Sequence, residues 1–116
     1  MKILLIDDME TNLFIYSSII KRIVGENNIV ASKYFQTSHL AKDWDLILID
    51  VNSDEYGKCG KMLKEDIGKT RPDLKDKIFL ISSEEHFSDN FISKEILIDF
   101  VKEKYNIFIN NSPALE

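Results

Sequence analysis

The sequence predicts an α/β fold with a doubly wound, five-stranded parallel sheet, and two observations indicate this class. Residues 2–6, 46–49 and 78–81 are short apolar runs without alternating polar positions. Such runs are typical of strands that are covered on both faces of a parallel sheet. Stretches with helical spacing of apolar residues separate them, and this alternation of buried strands with helices defines the doubly wound class.

Two further strands are predicted from weaker patterns. Residues 28–34 contain Ile29, Val30 and Tyr34, and residues 90–92 are short but apolar at two of three positions. Branched and aromatic side chains favour strands over helices. With the three apolar runs, these segments complete the five strands.

The first helix is predicted between the first two strands, because apolar residues recur there at helical spacing. Gly25 provides a stop after the cationic Lys21 and Arg22, which suit the C-terminal end of a helix. The apolar positions of this helix are Leu13, Tyr16, Ile20, Ile23 and Val24.

Two more helices are predicted further along the chain. Residues 57–67 have apolar side chains four apart, and Gly68 and Pro72 are expected to end that helix. Residues 95–105 have apolar side chains on one side, and Ser93 is available as an N-cap. The sequence therefore predicts three well-formed helices.

Two connections are too short for full helices. Residues 39–43 leave room for only a turn or so between the second and third strands. Eleven residues lie between Ser82 and Lys94, too few for a crossover helix with its turns and a strand. We therefore predict abbreviated second and fourth helices.

The length of 116 residues fits a single domain. We expect residues 1–110 to form this domain, with residues 107–109 packing or pairing after the last helix. Residues 111–116 are polar at first and end the chain, so they are expected to fray.

Charge and hydropathy exclude several classes of partner. The formal net charge is −5 without a Lys/Arg-rich cluster, which argues against a nucleic-acid partner because phosphate backbones require concentrated positive charge. The apolar runs are far below the roughly 18 residues that span a bilayer. With no signal-peptide pattern and a single Cys59, we expect a cytoplasmic protein that does not bind membranes.

Three carboxylates are predicted to meet at one edge of the sheet. Asp7 and Asp8 follow the first strand, and Asp50 follows the third. Parallel strands bring their carboxyl ends to the same edge, where such folds bind ligands. Clustered carboxylates repel one another unless a cation neutralises them, and oxygen ligands of this kind suit Mg²⁺. The alternative for Asp7 and Asp8 is a helix cap or a turn.

A hydroxyl and an ammonium are predicted at the same edge. Ser82 follows the fourth strand and Lys94 follows the fifth. A metal and a lysine neutralise developing oxygen charge, a hydroxyl orients it, and a carboxylate attacks, so the set suits phosphoryl transfer to Asp50. Ser82 has an alternative reading as an ordinary turn residue, and Lys94 as a solvated lysine at a helix start.

These residues carry a resemblance to the receiver domains of two-component response regulators, which have a flavodoxin-like topology. The matching motifs are Ile-Leu-Leu-Ile-Asp-Asp at residues 3–8, Asn12-Leu13, and Asp-Leu-Ile-Leu-Ile-Asp-Val-Asn at residues 45–52. The resemblance covers nearly the whole chain. It implies a phosphoprotein that catalyses its own phosphorylation and dephosphorylation rather than a conventional enzyme.

The resemblance also implies a role for each matching residue. Asp50 would be the phosphoacceptor, Asp8 a direct ligand of Mg²⁺, Asp7 a ligand through water, and the backbone carbonyl of Asn52 another ligand. Lys94 and Ser82 would contact the phosphoryl oxygens. Ser82 and Phe91 occupy the positions of the two residues that move on phosphorylation in that family.

The implied partners are a histidine kinase or a phosphotransfer protein, and an unknown downstream protein. No output domain follows the last helix in this sequence, so we expect signalling through protein contact. The face that the fourth helix contributes in receivers is altered here, so the downstream partner is not carried over.

Several positions depart from the receiver pattern and keep other functions open. Ser53-Asp54 stand where a Met-Pro pair is usual, and Glu95 follows Lys94 in place of proline. A pseudo-receiver that binds partners without phosphorylation is therefore the alternative function. A Mg²⁺-dependent phosphatase is a third, less favoured reading, because Asn52 replaces the acid that such enzymes place two residues after the nucleophile.

Overall fold

The computed structural model describes residues 1–51, 60–82 and 91–111. Within these ranges, five strands and three α-helices follow one another along the chain. The strands are β1 (Ile3–Ile6), β2 (Ile29–Ser32), β3 (Leu46–Asp50), β4 (Ile78–Ser82) and β5 (Phe91–Ser93). The helices are α1 (Glu10–Val24), α2 (Gly60–Thr70) and α3 (Leu97–Asn110).

The strands form one parallel sheet in the order β2-β1-β3-β4-β5. Ile3 of β1 is aligned with Ile29 of β2 on one side and with Leu46 of β3 on the other. The chain thus starts inside the sheet and adds strands in both directions. This confirms the predicted doubly wound, five-stranded parallel sheet, and it brings the carboxyl ends of all five strands to one edge.

Alternate side chains of the strands enter two cores on opposite faces of the sheet. Ile3 and Leu5 pack with α1 and α3, whereas Leu4 and Ile6 pack with α2 and Trp44. Every residue of β1 and β3 is buried, which explains why their sequences lack polar alternation.

The connection between β2 and β3 contains a short 3-10 helix, Thr37–Ala41, in place of a full helix. The Nδ1 atom of His39 accepts a hydrogen bond from the backbone N–H of Gln36 at 3.0 Å. The indole Nε1–H of Trp44 donates to the His39 carbonyl at 2.8 Å. The abbreviated second crossover is confirmed. In this short segment, the side chains of His39 and Trp44 provide hydrogen-bond partners for backbone groups.

Arg71 fastens this connection to the end of α2. Its guanidinium donates to the carbonyl of Leu40 and pairs with Asp43 and Asp73 at 2.8 and 2.7 Å. Both carboxylates are largely exposed, so solvent screens these two ion pairs. The bond to the backbone carbonyl ties the two segments together.

Gly68 does not end α2, and the predicted helix of residues 57–67 is wrong at that end. The helix continues to Thr70, and a 3-10 turn, Pro72–Lys77, follows. A glycine inside a helix costs only about 1 kcal/mol relative to alanine, which the burial of Ile67 beside it outweighs. Residues 57–59 lie outside the described residues.

The third helix was also predicted too short. A 3-10 turn, Lys94–Ile96, comes first, and α3 then runs to Asn110. Residues 107–109 therefore belong to the helix and do not form a separate patch, because neither Gly nor Pro interrupts them. Ser93 caps the 3-10 turn, since its Oγ accepts from the Glu95 N–H at 3.3 Å.

Two strand boundaries also differ from the prediction. β2 is shorter than residues 28–34, and β5 extends past residue 92 to Ser93. The predicted shortening of the fourth helix concerns residues 83–90, which are not among the described residues. The frayed tail at 111–116 stays a prediction, since only Asn111 of that segment is described.

None of the helices in the described ranges is long and apolar enough to cross a bilayer.

Gly60 begins α2 in close contact with the end of β3. A Cβ atom built on Gly60 would lie 2.7 Å from the carbonyl oxygen of Asp50 and 2.9 Å from the Cα of Val51. Its N–H donates to the Val51 carbonyl at 3.1 Å. The lack of a side chain therefore lets α2 start beside Asp50.

Gly60→Ala is expected to destabilise the domain by about 1–3 kcal/mol, the usual range for overpacking. Gly68→Ala is the matched control, because its Cβ would meet Lys75 at 3.5 Å, an ordinary contact, and alanine favours helix by about 1 kcal/mol. Urea unfolding followed by circular dichroism measures both variants. Equal stabilities would contradict the close contact at Gly60.

A second prediction concerns His39. Burial, followed by the charge of Lys42, holds the pKa of its imidazole below the ordinary value of 6.5. Since the folded-state pKa is depressed, the neutral imidazole contributes stability that is complete above the unfolded pKa and is lost as pH falls through the folded pKa.

His39→Gln should remove this component of the pH dependence. The wild-type free energy of unfolding is expected to fall more steeply than that of the variant as the pH drops from above 6.5 through the lowered pKa of His39 in the folded state. His86 is present in both proteins, so the difference reports on His39. Denaturant titrations across this range provide the measurement, and parallel pH profiles would exclude the proposed contribution.

Candidate functional site

Four of the predicted site residues come together at the carboxyl edge of the sheet. Asp50 ends β3, and its neighbour in register on β4 is Ile81. Ser82 follows and is aligned with Ser93, the residue before Lys94. Asp7 continues from β1, with its N–H donating to the Ser32 carbonyl at 3.2 Å.

Burial distinguishes these residues from ordinary surface acids. Asp7, Asp50 and Ser82 are only 2–3% exposed. A buried carboxylate is costly unless it is paired or hydrogen-bonded. The two carboxylates, Asp7 and Asp50, therefore require a neutralising partner.

Lys94 supplies one positive charge to this site. Its Nζ lies 2.7 Å from Oδ2 of Asp50 and 4.0 Å from Oδ2 of Asp7. Burial by itself would lower the pKa of Lys94, but the hydrogen bond and the charge of Asp50, with the charge of Asp7, outweigh it and raise the pKa above its ordinary value. The ammonium is therefore fully protonated at neutral pH.

The surroundings of Asp7 disfavour the ionised form of its carboxyl group. Burial raises the pKa of its carboxyl, and the charges of Asp50 and Asp8 act in the same direction. The hydrogen bond from the Met9 N–H to Oδ1, at 3.0 Å, acts in the opposite direction. Lys94 therefore does not fully relieve the repulsion between the acids.

The charge balance and the donor atoms suit a divalent cation. Three carboxylates, from Asp7, Asp8 and Asp50, and one ammonium, from Lys94, leave two negative charges. The donors are all oxygen, which Mg²⁺ prefers, and Mg²⁺ uses only one or two carboxylates because it keeps several waters. The described part of the chain contains no group of three or more Asp, Glu, His or Cys side chains arranged to hold a metal ion.

The other predicted site residues are placed differently. Asn52 lies outside the described residues. Phe91 starts β5 and packs on the α2 side of the sheet, with the Lys61 Nζ 5.5 Å from the centre of its ring. Its role as a switch stays a prediction.

Tyr16 was not singled out for the site by the sequence. Tyr16 on α1 makes the smallest of the electrostatic contributions that raise the pKa of Lys94. Helical spacing predicted Tyr16 only as an apolar position of α1, and spacing along one helix cannot reveal proximity to Lys94, which follows β5.

Solved structures of other proteins resemble this fold. No protein-family model and no curated protein sequence matches the chain. The receiver domain of the Francisella response regulator 1452 is similar in structure, with a TM-score of 0.59 and 21% sequence identity over 94% of this chain and 96% of that one. A fusion containing the yeast Spc42 trimeric coiled coil also matches, with a TM-score of 0.59 and 15% identity over 96% of this chain and 83% of that one.

The chain therefore has the receiver-domain fold, in a divergent form. Identity at this level concerns the fold alone. The roles of Asp50, Ser82 and Lys94 in phosphoryl transfer stay predictions.

Asp8→Asn tests the metal site. Loss of this carboxylate is expected to weaken Mg²⁺ binding by about tenfold or more, since a charged oxygen ligand is removed. It should also relieve repulsion, so the metal-free variant should be at least as stable as the wild type. NMR titration with Mg²⁺ measures the affinity.

Asp99→Asn makes the same charge change on the exposed side of α3 and should leave the affinity unchanged. An unchanged affinity in Asp8→Asn would remove Asp8 from the metal ligands. Equal weakening in both variants would indicate a general effect of net charge.

Proposed function

We propose that this domain accepts a phosphoryl group on Asp50, assisted by Mg²⁺, and signals through protein contacts. The observation that carries the proposal is the 2.7 Å ion pair between Lys94 and a buried Asp50, beside Asp7 and Ser82. A carboxylate that is buried beside a lysine and further acids is suited to the reversible transfer of a phosphoryl group. A purely structural ion pair would not need the two additional carboxylates.

In the proposed reaction, a carboxylate oxygen of Asp50 attacks the phosphorus of a phosphohistidine. The new O–P bond forms as the N–P bond breaks, and the electron pair stays on the imidazole nitrogen, which takes up a proton. The carboxylate itself is the nucleophile and has no proton to lose in the attack, so no general base is required.

Lys94 and Ser82 would stabilise the transferred group. The ammonium that neutralises Asp50 before the reaction can neutralise a phosphoryl oxygen afterwards, because the phosphoryl group is attached to the same carboxylate. The hydroxyl of Ser82 can donate a hydrogen bond to another of these oxygens. Mg²⁺, held by Asp8 and Asp50 and through water by Asp7, would supply further neutralisation of developing charge.

The proposed donor is a histidine kinase or a phosphotransfer protein in the cytoplasm, and the proposed target is another protein. A self-catalysed loss of the phosphoryl group to water would reset the signal. The fold supports a receiver role of this kind, and the edge residues support Asp50 as the acceptor.

The same ion pair also favours a second candidate, a receiver-like interaction module that is never phosphorylated. Lys94 neutralises Asp50 without any metal, so the pair can hold β5 to β3 as a fixed structural link. The two candidates differ in one measurable property, the chemical reactivity of Asp50.

Incubation with acetyl phosphate and Mg²⁺, followed by intact-mass analysis, distinguishes them. The wild type is expected to gain one phosphoryl group, and Asp50→Asn to gain none. Asp45→Asn is the control, because its carboxylate accepts from the Lys2 N–H at 2.8 Å near the start of β3, away from the carboxyl edge, and labelling should persist. If neither the wild type nor Asp45→Asn takes a label, the interaction module is the better description.

A further inference from the structure

A groove on the α2 side of the sheet lies apart from the acidic edge. Its volume is about 410 Å³, and it lies between α2, the turn after α2, and strands β4 and β5. Its lining residues are Lys61, Lys64, Glu65, Gly68, Lys69, Lys75, Leu80 and Phe91. The volume falls in the range of small-molecule sites.

The rim of the groove is strongly positive in a chain whose net charge is negative. Four lysines and one glutamate line it, which leaves three positive charges in excess, while the chain as a whole carries −5. Within the described residues, none of these four ammonium groups forms a salt bridge. Such an excess of positive charge favours an anionic ligand.

Lys64 lies close to Lys75, which comes from the turn after α2. Burial is the main cause of the lowered pKa of the Lys64 ammonium. The charge of Asp76 opposes this lowering, and the smaller effect of Lys75 adds to it. An anion between the two lysines would favour the charged form of both.

The floor of the groove is apolar. Leu80 is buried, and Phe91 exposes part of its ring. The Lys61 Nζ lies 5.5 Å from the centre of that ring, on a flexible side chain that can move aside for a ligand. A flat apolar group could pack here while charged groups reach the lysines at the rim.

We propose that this groove binds an organic phosphate of the nucleotide class, with its phosphates between Lys64, Lys69 and Lys75 and its ring against Phe91 and Leu80. Lysine binds phosphate as a point charge, and the three excess charges match the charge of a nucleoside diphosphate or triphosphate. A small molecule fits the volume of the groove, whereas a nucleic-acid strand requires a positive track several nucleotides long. The groove and its proposed ligand do not depend on phosphorylation of Asp50.

Calorimetric titration with ATP in the presence of EDTA tests the proposal, since removal of Mg²⁺ keeps metal-dependent binding at Asp50 out of the measurement. ATP should bind more tightly than either adenosine or pyrophosphate, because each of these keeps only half of the proposed contacts.

The double variant Lys64→Gln, Lys75→Gln should weaken ATP binding by about a hundredfold, or about tenfold for each charge-assisted contact. A matched double variant, Lys21→Gln and Lys102→Gln, removes two exposed lysines outside the groove and should bind as the wild type does. The single variant Lys69→Gln changes an exposed side chain, so its predicted tenfold loss is independent of folding.

Three results would overturn the proposal: no binding of ATP at millimolar concentration, equal weakening in the two double variants, or tighter binding of a short oligothymidine than of ATP. The second would indicate nonspecific attraction by positive charge. The third would assign the groove to single-stranded nucleic acid.

Discussion

The cost of burying Asp7 and Asp50 is the constraint on which the arrangement of the sheet edge depends. Asp50 ends β3 and Asp7 follows β1. Both side chains are buried, so water solvates these carboxylates poorly. Lys94 reaches across from β5 and lies 2.7 Å from Asp50, although β4 separates the two strands. Removing one partner of a buried pair typically costs about 3–5 kcal/mol, so this ion pair links the shortest strand to the centre of the sheet.

Much of the fold and the edge residues could be predicted from the sequence because parallel strands follow a simple rule. Strands buried on both faces have continuous apolar runs, and the residue that ends each run lies at the common edge. The runs before Asp7, Asp50 and Ser82 were therefore sufficient to place these side chains. Lys94 could be placed because it comes directly after the short last strand.

The errors arose where a boundary depends on packing rather than on local pattern. Gly68 is a helix stop by composition, yet the burial of Ile67 on one side of it and Leu74 beyond it keeps α2 continuous. The lysines of the groove were missed for a similar reason. Lys61, Lys64 and Lys75 are not consecutive in the sequence, and only the turn that folds residues 72–77 back along α2 brings their charges together.

The acidic edge and the basic groove use the same two strands. Leu80 lies two residues before Ser82 on β4, and Phe91 lies three residues before Lys94 at the start of β5. Movement of Lys94 from Asp50 toward a phosphoryl oxygen would shift β5 and with it the wall of the groove. Because binding free energies are linked, any effect of a groove ligand on the phosphorylated state must equal the effect of phosphorylation on the ligand's affinity. The short strand β5, which the acidic edge and the basic groove share, thus provides a physical route for coupling between them.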